Sequence, residues 1–89
     1  MSKEANLAAS KGNLKLLEIM KVLPTVEGAN AACGNGHLAV LKWLAGKGIY
    51  PDVSGANNAA WHGRVDILEW LLSKGIRPTH VLKMRRNAC

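Results

Sequence analysis

At 89 residues and a formal net charge of +6, the chain has room for one domain and can bury only about 60–65% of the surface it exposes when unfolded. Two cysteines, Cys33 and Cys89, are too few for a disulfide framework. No N-terminal apolar leader and no apolar run near the roughly 18 residues of a membrane span is found. The expectation is a soluble protein of a reducing compartment, cytoplasm or nucleus, without membrane attachment. The positive balance favours a partner with an acidic surface, with nucleic acid the less favoured alternative. The charge is scattered, however: only Lys83, Arg85 and Arg86 cluster, and lysines spread over helices usually mark solvated faces.

The chain opens with Ala5-Asn6-Leu7-Ala8-Ala9-Ser10-Lys11-Gly12. Ala5, Ala8 and Ala9 fall at helical spacing, and their small side chains let a helix sit close to its neighbours. Gly12 tolerates the left-handed backbone that a tight reversal needs. A second, more apolar segment follows with Leu14, Leu16, Leu17, Ile19, Met20 and Leu23, the spacing of an amphipathic helix with a wide buried face.

The same pair of segments recurs twice. Ala29, Ala32 and Cys33 lead to Gly36, then Leu38, Val40, Leu41, Trp43 and Leu44; Ala56, Ala59 and Ala60 lead to Gly63, then Val65, Ile67, Leu68, Trp70, Leu71 and Leu72. The turn glycines Gly12, Gly36 and Gly63 are 24 and 27 positions apart, a period that points to stacked supersecondary units. Gly48-Ile49-Tyr50-Pro51 and Gly75-Ile76-Arg77-Pro78 stop the second helices, with Gly past the helix end and Pro shortly after. In the first unit Pro24 stands where the others have Gly, and the connector is three residues shorter. Ser54 is expected to N-cap the first helix of the third unit, and Thr79 a final helix in which Val81, Leu82 and Met84 close the stack.

The repeated pattern Ala-Ala-x-x-Gly-[His/Asn/Arg]-[Leu/Val]-x-[Val/Ile/Leu]-Leu, with a Leu-rich turn and a closing Gly-Ile, resembles the ankyrin repeat. Ala32-Cys33-Gly34-Asn35-Gly36-His37-Leu38-Ala39-Val40-Leu41-Lys42-Trp43-Leu44 is the closest segment. The usual unit has about 33 residues, and the Thr-Pro-Leu-His opening is absent. The missing residues fall where a β-hairpin finger would form, so the chain is similar to a compact variant found in proteins of giant viruses and protists. The resemblance implies an all-α, short ankyrin-like solenoid of stacked helix pairs with reduced or absent β-hairpin fingers. Its units span approximately 1–28, 29–55 and 56–78, with a C-terminal capping helix over 79–89. Asn6, Asn30 and Asn57 take the place of the family's His, tying each connector to a helix by side-chain hydrogen bonds.

Trp43 and Trp70 are expected to pack between repeats. Trp61 shares its repeat position with Ser10 and Gly34, which are not expected in the core, so it reads as an anchor on the concave face, since Trp dominates binding hot spots. Lys11, Asn35 and His62 share the adjacent variable position, and Leu7, Ala31 and Asn58 border it. Tyr50, Asp52 and Arg77 lie in the connectors at one rim. The expected binding residues are therefore Trp61, His62, Asn58, Asn35, Lys11, Tyr50, Asp52 and Arg77.

Catalysis is not expected. Cys33 and His37 are four apart, but a structural zinc site normally needs four ligands. Cys33 replaces a packing Ala and is read as a small hydrophobe. His62 and Asp66 are separated by the Gly63 turn, and neither a phosphate loop nor a carboxylate pair is present. No metal or cofactor is expected. The leading function is a non-catalytic module that binds a partner protein through a preformed concave face, as an inhibitor or recruiter. A viral accessory factor acting on a host protein is a sub-case implied by the resemblance alone. The alternatives are a basic nucleic-acid-binding protein, marked by steep salt dependence, and a self-associating structural repeat. A monomer or weak dimer is expected.

Overall fold

The computed structural model describes residues 2–79. The capping helix expected over 79–89, with Val81, Leu82, Met84 and the Lys83, Arg85 and Arg86 cluster, lies beyond Thr79 and so outside the described residues. Six helices follow in order: α1 (Ser2–Ser10), α2 (Leu14–Ile19), α3 (Val26–Asn35), α4 (Leu38–Gly46), α5 (Val53–Trp61) and α6 (Val65–Ser73). No strand occurs among the described residues. The described residues are all-α, built of stacked helix pairs without β-hairpin fingers.

Gly12, Gly36 and Gly63 turn each pair with φ between 69° and 84°, the left-handed region that glycine enters without steric cost. The first helices, α1, α3 and α5, form an inner row. They meet through Ala5, Ala9, Ala29, Ala32, Ala56 and Ala59, all fully buried, because helix separation follows the size of the side chains between them. The second helices carry the bulk of the core, with Leu17, Leu41, Leu44, Ile67 and Leu71 buried. They touch one another sparingly, whereas the inner helices pack along their length. Close contact in one row and wide spacing in the other curve the stack toward the inner row.

One hydrogen-bonded clasp repeats between units. Thr25 donates its backbone N–H to Asn6 Oδ1 at 2.7 Å, and Asn6 Nδ2 donates to Thr25 Oγ1 at 3.0 Å. Asp52 N–H reaches Asn30 Oδ1 at 3.0 Å, and Asn30 Nδ2 reaches Asp52 Oδ1 at 2.9 Å. Thr79 N–H donates to Asn57 Oδ1 at 2.7 Å, and Asn57 Nδ2 to Thr79 Oγ1 at 3.0 Å. Thr25 and Asp52 are the N-caps of α3 and α5, accepting from Glu27 N–H at 3.3 Å and Ser54 N–H at 2.9 Å. Each inner helix thus holds the cap that starts the next, and the Asn residues tie connector to helix as the repeat pattern predicts.

Gly28 and Gly55 follow their caps by three residues and let the clasp close. A Cβ added at Gly28 would lie 2.6 Å from Asn6 Oδ1, and one at Gly55 2.5 Å from Asn30 Oδ1. Side-chain atoms do not approach that closely without displacement.

Three sequence expectations change. Asp52, not Ser54, caps α5; Ser54 lies inside the helix and its N–H is the group being capped. Pro24 immediately precedes cap Thr25 as Pro51 precedes cap Asp52, so Pro24 is the counterpart of Pro51 and not of the stop glycine. The three residues missing from the first unit come from the last turn of its second helix: α2 has 6 residues where α4 and α6 have 9, and Met20 ends it in extended backbone. Ile19, at the position of Trp43 and Trp70, is consequently 73% exposed, and Leu23, a connector residue like Tyr50 and Arg77, is exposed as well.

Replacing Asn30 by Ala removes both bonds of an interior clasp and should lower unfolding free energy by about 1–3 kcal/mol in urea titration. Asp52→Ala should cost about 1 kcal/mol through loss of the cap, whereas Ser54→Ala should leave the midpoint nearly unchanged.

Candidate functional site

The three tryptophans are treated differently by the fold. Trp43 and Trp70 are half-buried against the core. The Lys47 and Lys74 ammonium groups stand over their rings, 5.3 and 5.8 Å from the centroids, a cation–π arrangement one turn apart on a helix and its cap. Trp61, at the end of α5, is 65% exposed. His62 caps α5 beside it and is also exposed.

The repeat position of Trp61 is seen from within the stack at its counterpart in α3. Its counterpart Gly34 is buried, and a Cβ there would point at the next inner helix, 3.2 Å from Asn58 Cβ and 3.5 Å from the His62 ring.

The other expected binding residues are not brought together. Asn35 Nδ2 donates to the Ser10 carbonyl at 2.8 Å, and Asn58 Nδ2 to the Asn30 carbonyl at 3.4 Å. Asp52 is held in its clasp. All three serve contacts between units: Asn35 and Asn58 meet backbone carbonyls of the preceding inner helix, and Asp52 meets the Asn30 side chain. Lys11 is exposed at the α1 end of a molecule whose longest dimension is 44 Å, with Trp61 on the third unit. Tyr50 and Arg77 are exposed at equivalent places in the connectors.

Sequence reasoning missed two features. Arg64 Nε donates to the Gly34 carbonyl at 3.1 Å and its guanidinium lies over Gly36, just as the His37 ring lies over Gly12. The residue after each turn glycine thus leans on the turn before it. A groove of about 470 Å³ also runs between α1 and α3, with Lys3, Leu7 and Ser10 on one side and Glu27 and Ala31 on the other. The shared spacing of Gly12-Asn13, Gly36-His37 and Gly63-Arg64 was the available signal for the first; the groove depends on helix packing and had none.

His37, packed on Gly12, and buried Cys33 have separate structural surroundings. Burial pushes the Cys33 thiol up to about 12, with a further contribution from the Asp52 carboxylate. No helix among the described residues is long and apolar enough to cross a membrane.

A family model for ankyrin repeats, described as many copies, matches residues 30–72. Those residues carry ankyrin repeats. No curated protein and no solved structure matches the chain. The matched segment runs from the clasp residue Asn30 through α6, and α1 with α2 repeat its clasp and turn outside those bounds. Ankyrin repeats are generally protein–protein interaction modules and typically non-enzymatic. This array supplies what such a module needs: inner helices fixed by clasps, with grooves and an exposed indole on a surface formed before any partner arrives.

In a Cys89→Ser background, Cys33 should react with a thiol reagent at pH 8 only as fast as the fold opens, because the reactive thiolate is suppressed. Its folded value lies above the unfolded one of 9.0, so stability should be insensitive to this group below pH 9 and fall as pH rises from 9 toward 12. Paired thiol-exchange and urea measurements across that range check both outcomes.

Proposed function

We propose that the chain is a non-catalytic module that binds a partner protein through the preformed surface of its inner helices and the adjoining end of α5, with Trp61 as its apolar anchor. The observation that supports this most is the 65% exposure of Trp61 in a fold that packs its other two indoles. A rigid aromatic side chain contributes large contact area at low entropic cost and is over-represented at interface hot spots. His62 beside it supplies hydrogen bonding, and Arg77, exposed in a connector, supplies positive charge that steers an acidic partner surface. The clasped helices lose little freedom on binding, which favours affinity for a given contact area. A surface of this kind serves either to occlude the partner or to recruit it.

The test is capture from nuclease-treated lysate with wild type, Trp61→Ala and Trp61→Ala/His62→Ala, each confirmed folded by circular dichroism. The expected result is a protein retained by the wild type at moderate salt and weakened about tenfold or more by Trp61→Ala, as for a hot-spot truncation. Identical capture by all three would remove Trp61 from the interface. Binding that survives only in the absence of nuclease and falls steeply with salt would support the nucleic-acid alternative instead.

A further inference from the structure

The turn between α3 and α4 carries the one Asn-Gly pair of the sequence, Asn35-Gly36. An asparagine before glycine is the kind most prone to lose ammonia, because a residue without Cβ leaves its backbone nitrogen open to the neighbouring carboxamide. Lys11, Asn35 and His62 share the position before the turn glycine, and of these Asn35 alone carries a carboxamide. The other described asparagines, Asn6, Asn13, Asn30, Asn57 and Asn58, precede Leu, Ala or Asn, whose side chains hinder the same approach. Asn35 closes α3 and is exposed. Its Nδ2 donates to the Ser10 carbonyl at 2.8 Å, and the Gly36 N–H donates to the Ala32 and Cys33 carbonyls at 3.0 and 3.4 Å. The leaving group and the attacking nitrogen are thus both tied while α1 and α3 are joined.

We propose that Asn35 is a site of spontaneous deamidation which the joined α1 and α3 protect, and that its conversion irreversibly loosens their junction. The Gly36 nitrogen gives its proton to water and bonds to Asn35 Cγ. The Cγ–Nδ2 bond breaks, and ammonia leaves after taking up a proton. Water then opens the succinimide. Its addition at Cγ restores the chain with an aspartate side chain. Its addition at the main-chain carbonyl leaves an isoaspartyl link that runs through Cγ. The net change is water in and ammonia out, with no oxidant, reductant or enzyme required.

Either product ends the contact that Asn35 makes. A carboxylate has no N–H for the Ser10 carbonyl and faces it as a second acceptor. It also adds negative charge where α1 and α3 end, at the negative poles of their dipoles. The isoaspartyl link goes further, since an extra methylene enters the backbone between α3 and its turn. The Gly36 and His37 N–H groups both donate to the Ala32 carbonyl at 3.0 Å, and the His37 ring lies over Gly12. A lengthened backbone displaces both groups. The clasp of Asn6 on Thr25, at the start of α3, is untouched, so the junction opens from its turn side.

The experiment is ageing of the full chain in mildly alkaline buffer, followed by peptide mapping and mass spectrometry that separate the Asn, Asp and isoaspartyl forms. Asn35 should convert before any other asparagine, and at least about tenfold more slowly than in the same chain held in denaturant, since reaction follows the open population. Asn6→Ala, which weakens the same junction, should speed conversion about tenfold, as the loss of two hydrogen bonds enlarges that population. If that variant fails to fold, wild type in sub-denaturing urea makes the same comparison. Aged protein, separated by ion exchange, should unfold at lower urea and exchange amides faster at the Gly12 and Gly36 turns. Asn35→Gln keeps a donor but closes a ring far more slowly, so it should resist ageing. Asn35→Asp should reproduce the loss in urea midpoint. Equal rates in folded and denatured chain would overturn the inference, as would first conversion at another asparagine or an aged protein of unchanged midpoint. No partner enters these readouts, so they stand apart from the test of Trp61.

Discussion

The stack depends on an asparagine that belongs to one helix and organises the start of another. A helix N-terminus leaves backbone N–H groups without intrahelical partners, and a cap side chain satisfies one of them. Here the cap residue's own backbone N–H is bound in turn, by Asn6 for Thr25 and by Asn30 for Asp52. Capping and stacking thereby become one interaction: a helix cannot begin in its proper place unless its neighbour is already helical. The arrangement also explains why the connectors need no β-hairpin. The work of fixing the distance and rotation between units is done by two hydrogen bonds and a close-approach glycine, not by strand pairing.

The clasp also explains where the fold tolerates variation. Asn6 and Thr25 are 19 positions apart, whereas the two later clasps span 22 positions each. The difference is one turn lost from α2, on the outer row, where helices touch sparingly. The inner row keeps its register through the deletion. A removed turn on the outer side shortens one ridge and exposes Ile19; the same deletion between Asn6 and Ser10 would shift α1 against α3 and separate Asn6 from the Thr25 cap or Ser10 from Asn35.

Most of the architecture was legible in the chain because it is periodic. Three Ala-Asn openings, three turn glycines and two Gly-Ile-x-Pro stops report the helix pairs and their order, and the Asn ladder was readable as connector ties. What stayed hidden depends on direction. Asp52 and Ser54 are both capable caps, and only the backbone shows that α5 starts at Val53. Trp61 was recognisable as the odd indole, but the close contact of its counterpart Gly34 with Asn58 and His62 joins two units and is not revealed by spacing. Asn35 and Asn58 looked like surface residues because their partners, the Ser10 and Asn30 carbonyls, are backbone atoms without a sequence signature.

Every clasp joins a unit only to the next one. Contacts of this kind close short loops, and chains dominated by them fold quickly, since little entropy is spent before each contact is rewarded. Such arrays can nucleate at any unit and grow outward by adding neighbours. Unfolding follows the reverse path. Among the described residues α3 and α5 are each clasped twice, α3 through Asn6 and Asp52 and α5 through Asn30 and Thr79, so opening either one breaks two clasps. A protease or an amide-exchange experiment would therefore meet the array as a set of lifetimes, longer at the doubly clasped α3 and α5 than at α2 on the outer row.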